Sequence, residues 1–235
     1  MPEQTLEAIS PIDWGPIYKE TIYGRWPVEP WNTVTTLFFL LFVIYWAWKI
    51  RGQWQRHPLL VITLPVIFVG FVGGFLYHSF RDNKIWLLMD WGPIMVTALI
   101  CCIFYWHQLL KSWLQSLLAT FVPLIVVIVT LKFFLPAGLL MSLGYPILAI
   151  LVLTPLFLCI RHKSFFDVRY LVYATICVCA AITLRFMDRT SAMDFLPMGS
   201  HFLWHTLGAL TCHFFIRFNY DNFKNSLSYR RPRSP

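Results

Sequence analysis

Apolar runs of about 20 residues recur along this chain from residue 32 to residue 219. Each is long enough to cross a bilayer hydrocarbon core about 30 Å thick. In lipid every backbone N–H and C=O must be satisfied within the protein, which leaves helices or a closed barrel. The runs are continuous rather than alternating, so helices are expected, at roughly 32–50, 58–79, 86–106, 113–134, 139–161, 167–186 and 199–218. The expected fold class is an all-α membrane protein, a seven transmembrane helix bundle. An acidic extramembrane segment at 1–31 precedes the helical domain at 32–219. A basic cytoplasmic tail at 220–235 follows it, with Tyr229 to Pro235 expected to be disordered.

Composition supports this class. Of 235 residues 58% are hydrophobic and 13% charged, which sets the chain apart from ordinary soluble domains. The net charge of +8 raises the question of nucleic acid, but the basic residues are spread over loops and the tail, as topology signals are. No nucleic-acid partner is expected. All six cysteines lie in apolar runs without a C-x-x-C, so packing is their expected role. Residues 1–31 carry five acids and no apolar segment, so no cleavable signal peptide is expected. With the N-terminus outside or lumenal and the C-terminus cytoplasmic, twelve Lys and Arg fall on the inner side and seven on the outer. The positive-inside bias thus favours that orientation.

Four ionisable residues stand out against this background. His78 closes the second run, Asp90 opens the third, and His201 and His205 open the seventh. Intramembrane ionisable groups are costly and mark functional sites by default. In the orientation above, all four share one depth near the outer leaflet. The i, i+4 spacing of His201 and His205 puts both imidazoles on one helical face. Three imidazoles plus a water form a common open zinc site, in which the metal activates the water and polarises a carbonyl. Asp90 is the expected catalytic carboxylate, taking the water's proton and passing it to the leaving group. Its alternatives are orienting an imidazole and bonding between helices. A single histidine at a helix end can equally sit at headgroup level; the combination with Asp90 is what singles out a site. His57, His107 and His162 read as interfacial, and His213 as a hydrogen bonder within the bundle.

The N-terminal segment supplies a second set. Asp13, Glu20, Glu29 and Asn32 place several oxygen ligands just outside the membrane, and hard oxygens suit calcium. The plainer readings are an acidic outer loop and a cap from Asn32 or Thr33 on the first helix.

These fragments resemble a known family. Glu29-Pro-Trp-Asn32-Thr-Val-Thr looks like the E-x-x-N-T-x-S of alkaline ceramidases. Phe-Leu-Tyr-His78, Leu-Leu-Met-Asp90 and His201-x3-His205 occur in the order of that family's zinc motifs, and the likeness spans residues 13 to 210. The related progestin and adipoQ receptors share the three histidines but not the acidic motif. The resemblance implies zinc on His78, His201 and His205, and catalysis by Asp90. It also implies calcium on Glu29 and Asn32, with Glu20 and Asp13 less directly matched. Asp13-Trp14 resembles the family's D-W-C-E, but Gly15-Pro16 replaces C-E. The family serine one turn before the second-helix histidine is Gly74 here, which removes a potential oxyanion donor worth about 100- to 1,000-fold in turnover. The Gly73-Gly74 pair would instead let a helix or substrate approach closely.

The expected function is a zinc-dependent lipid amide hydrolase. It would cleave ceramide or a related N-acyl lipid to a sphingoid base and a fatty acid by attack of zinc-bound water. The alternative is a seven-helix receptor or sensor with a structural zinc; the absence of large loops weighs against it. The compact chain, without sorting signals, favours a bacterial inner membrane over an endomembrane of the ER or Golgi.

Overall fold

The computed structural model describes Asp13 and residues 15–135, 137–162, 167–188 and 193–228. Residues 1–12, Trp14 and the expected tail at 229–235 lie outside the described residues. Among the described residues seven α-helices follow in chain order: α1 Pro30–Ile50, α2 Pro58–Phe80, α3 Lys84–Leu110, α4 Trp113–Phe134, α5 Ala137–His162, α6 Arg169–Met187 and α7 His201–Ser228. The first six are long and apolar enough to cross a membrane, α5 over Leu143–His162, and mark a multi-pass membrane protein. α7 is longer still, but His201, His205, His213 and Arg217 dilute its apolar content, and it falls short of the same standard.

Most helix bounds lie within a few residues of the apolar runs. The exception is the end of α7, which continues ten residues past 218. Polar side chains support that extension: Arg217 pairs with Asp221 at 2.7 Å, and the Asn219 and Asn222 amides donate to carbonyls four residues back. The start of α1 also departs from expectation. Neither Asn32 nor Thr33 caps it; Pro30 occupies the first turn and Glu29 the cap position.

α1 packs between α2 and α7, α2 also lies on α3, α3 contacts α4 and α5, and α6 lies on α7. α2 and α3 approach closely at Gly73. A Cβ at Gly73 would collide with the Met89 backbone, so the missing side chain is what allows the two helices to touch. Leu114, Ile125 and Phe133 of α4 point outward, as a lipid-facing surface requires. Two apolar clusters fill the interior away from His78, His201 and His205. One joins Trp46, Leu60, Leu64, Ile216 and Tyr220; the other joins Tyr105, Leu156, Cys159 and Phe218. His57 stands at the cap position of α2. It is buried and stacks on Tyr220 at 4.7 Å. His213 accepts from Trp46 Nε1 at 3.3 Å, the bundle role expected of it.

Chain direction brings the N-terminal ends of α1, α3 and α7 and the C-terminal end of α2 to one end of the bundle. Residues 15–29 fold across that end. The main-chain N–H groups of Val28 and Glu29 donate to the free carbonyls of Ser79 and His78, both at 3.0 Å. Orphan carbonyls at a helix C-terminus need such partners. The same two bonds bring the Glu29 side chain alongside His78.

Candidate metal centre

His78, His201 and His205 come together at that end, all three buried. Their ligand atoms all lie within 4.8 Å of one another. His78 Nε2 and His205 Nε2 are 3.1 Å apart. Two imidazoles bound to a tetrahedral zinc at about 2.0–2.1 Å would sit roughly 3.3 Å apart, so this separation suits a shared ion. His201 Nε2 is buried without a hydrogen-bond partner. Buried polar nitrogens seldom go unmatched, and a cation between the rings would satisfy this one. The donor set therefore fits a metal ion. Among the described residues it is the single group of three or more His, Cys, Asp or Glu side chains close enough to hold one.

Neighbouring groups set each ring. Glu29 Oε2 lies 2.5 Å from His78 Nδ1, both side chains fully buried. A carboxylate there draws the proton to Nδ1 and leaves Nε2 free to ligate. Tyr18, from the N-terminal segment, stacks on His201 with ring centroids 3.9 Å apart and covers the site from outside. Arg185 Nη1 is 3.2 Å from His201 Nδ1. A guanidinium only donates, so Nδ1 is the acceptor here; for Nε2 to ligate as a neutral imidazole the proton has to sit on Nδ1 and Arg185 has to turn away.

Asp90 sits beside this cluster on α3. An ideal Cβ on Gly74 would come within 2.6 Å of Asp90 Oδ1 and 3.2 Å of Thr36 Cγ2. The glycine is thus the space that the aspartate occupies. A side chain there requires the Asp90 carboxylate to shift.

Asp90 and His205 also form the polar end of a cavity of about 110 Å³ between α1, α2, α3 and α7. Apolar side chains, including Phe39, Pro93, Ile94 and Trp204, make up most of its wall. Ile67, Thr97 and Cys212 line both this cavity and a smaller one of about 30 Å³ that continues towards Asn219. From His205 to Asn219 the path follows α7 for about 21 Å at 1.5 Å per residue.

The four oxygen-bearing residues expected to hold calcium are placed at this end too; the carboxylates of Asp13, Glu20 and Glu29 are engaged, while Asn32 Oδ1 is buried without a hydrogen-bond partner. Glu20 accepts from the main-chain N–H groups of Trp31 and Asn32, both at 2.7 Å, and so caps α1 from outside the helix. Burial pushes its carboxyl above the usual range despite those two bonds. Asp13 and Glu29 both bind Arg81. Glu29 also accepts from Thr21 Oγ1 at 2.5 Å and from the Asn32 amide at 3.2 Å. Burial would raise the Glu29 carboxyl; the bonds and charge of His78, with Arg81 and Thr21, outweigh it and hold the group below its usual range. A guanidinium already supplies positive charge between Asp13 and Glu29.

Sequence reasoning missed Arg81, Arg185 and Tyr18. Arg81 and Arg185 counted as outer loop charges; the signal that marks Arg81 is its place directly after His78-Ser79-Phe80, downstream of three buried acids that need a cation. No protein-family model matches the chain, and no curated protein matches it.

Proposed function

We propose that this protein is a metal-dependent lipid amide hydrolase of ceramidase type, with zinc on His78, His201 and His205. The observation that carries the reading is the buried cluster of three imidazoles, one of which, His205, lines an apolar cavity together with Asp90. Three protein ligands leave a fourth position for water or substrate, as catalytic zinc sites do. The cavity beside that position favours catalysis over a purely structural ion. The motif resemblance to alkaline ceramidases supplies the substrate class, an N-acyl lipid such as ceramide.

When bound, the metal supplies Lewis acidity that polarises the amide carbonyl and acidifies water. The residues of the chain do the rest. Glu29 holds the Nδ1–H of His78 and keeps the ring in its ligating tautomer. Asp90 accepts the proton of the attacking water and returns it to the departing amine, so amide plus water becomes carboxylic acid plus amine. The apolar cavity along α2, α3 and α7 receives the acyl chain and excludes water from it. An N-terminus on the outer side puts the site at the outer leaflet.

The test is to purify the protein in detergent, measure its metal content, and incubate it with an N-acyl sphingoid lipid. Stoichiometric zinc and release of free fatty acid are expected. Retained hydrolysis in a zinc-free His78→Ala/His201→Ala/His205→Ala protein would refute the reading.

A further inference from the structure

A guanidinium carries five N–H donors in a rigid fork. At Arg81 the fork is filled. Nε donates to Asp13 Oδ2 at 2.6 Å; Nη1 donates to the Pro16 carbonyl at 2.9 Å and to Glu29 Oε1; Nη2 donates to Asp13 Oδ1 at 3.1 Å and to the Gly15 carbonyl at 3.4 Å. The side chain is fully buried, with the Tyr77 ring centroid 4.7 Å from its Cζ. The residue itself is the left-handed cap of α2, φ 53°, a position that ordinarily favours glycine. A side chain is kept there against that preference.

The five oxygens around it come from two carboxylates and two main-chain carbonyls. Those are the hard donors that calcium collects, six to eight at a time. Two buried carboxylates this close need a cation between them, and the chain supplies its own. We propose that Arg81 is a tethered cation standing in place of a divalent ion, and that it positions the metal centre through Glu29. One oxygen of Glu29 is held by Arg81, which leaves the other aimed at His78 Nδ1. Lysine cannot do the same, because an ammonium is a point charge with three donors and no planar fork. The positioning role rests on the proposed metal at His78; the replacement of a divalent ion does not.

The experiment compares the detergent-solubilised full chain with Arg81→Ala and Arg81→Lys, with and without millimolar calcium or methylguanidinium. Two readouts are taken: the thermal midpoint, and cobalt binding followed by visible absorption. The wild type should be indifferent to calcium in both. Arg81→Ala should have a lowered midpoint and a cobalt affinity weaker by about 10- to 100-fold, the usual cost of losing an outer-shell partner. Calcium or methylguanidinium should restore both, and Arg81→Lys should recover little of the cobalt affinity. An Arg81→Ala protein that neither cation rescues, or a wild type that calcium stabilises, overturns the proposal. If the variants do not fold, the response of the wild type to calcium still decides. A wild type that binds no cobalt at all defeats the metal reading, and the thermal readout then tests the cation replacement by itself.

Discussion

Glu29 Oε2 and His78 Nδ1 lie 2.5 Å apart with neither side chain exposed, which ties the first residue before α1 to the last turn of α2. The contact is forced by the backbone. The Glu29 N–H donates to the His78 carbonyl at 3.0 Å, so the two residues are already paired when their side chains meet. A carboxylate that fixes an imidazole in this way raises its strength as a metal ligand.

Glu29→Gln keeps the shape of this contact and removes the charge. Metal affinity should fall by about 10- to 100-fold. Glu29→Ala should cost more in stability, about 3–5 kcal/mol, because it strips Arg81 of a buried partner. Metal titration and chemical denaturation of the two variants separate these effects; equal affinity in Glu29→Gln and wild type would mean that the carboxylate does not tune the site.

His78→Ala, His201→Ala and His205→Ala should each lose bound zinc and hydrolysis together. Elemental analysis alongside a fatty-acid release assay checks this. A variant that loses its zinc and keeps its turnover would separate the ion from the chemistry.

Asp90→Asn should retain zinc and lose turnover by about 100- to 10,000-fold, the range for removal of a general base. Wild-type turnover in that variant would assign the proton transfer elsewhere.

Gly74→Ser inverts a naive expectation. Restoring a hydroxyl donor would suggest a gain, yet the added Cβ meets Asp90 Oδ1 at 2.6 Å. Displacing the carboxylate should lower turnover on the order of 100-fold while zinc content stays unchanged. A faster Gly74→Ser enzyme would show that Asp90 shifts without cost.

Thr97→Phe should close the passage between the two cavities, since Thr97 lines both. Long acyl chains should then lose affinity by about 0.8 kcal/mol for each methylene that no longer fits. A chain-length series of substrates reads this directly; an unchanged profile would mean that the acyl chain lies elsewhere.

Much of the fold is legible in the sequence. Continuous apolar runs mark α1 to α6 because a helix that faces lipid or neighbouring helices must be apolar along its length. His201 and His205 share a face because their spacing is that of one helical turn. The end of α7 was not legible, since Arg217–Asp221 and the asparagine amides continue the helix where the apolar pattern stops. Nor was the fate of the acidic segment. Its carboxylates read as ion ligands because a free carboxylate and one claimed by a guanidinium look the same in a sequence.

By itself the sequence determined which residues had to be helical, and which few ionisable side chains a membrane-like interior would have to accommodate. Those are local consequences of solvation and helical period. Only the tertiary structure decided that Arg81 would fill the oxygen cage between Asp13 and Glu29, and that Gly74 would admit Asp90. Such pairings depend on which helix ends meet and how closely their backbones approach, and residues distant in sequence become neighbours only when the helices pack.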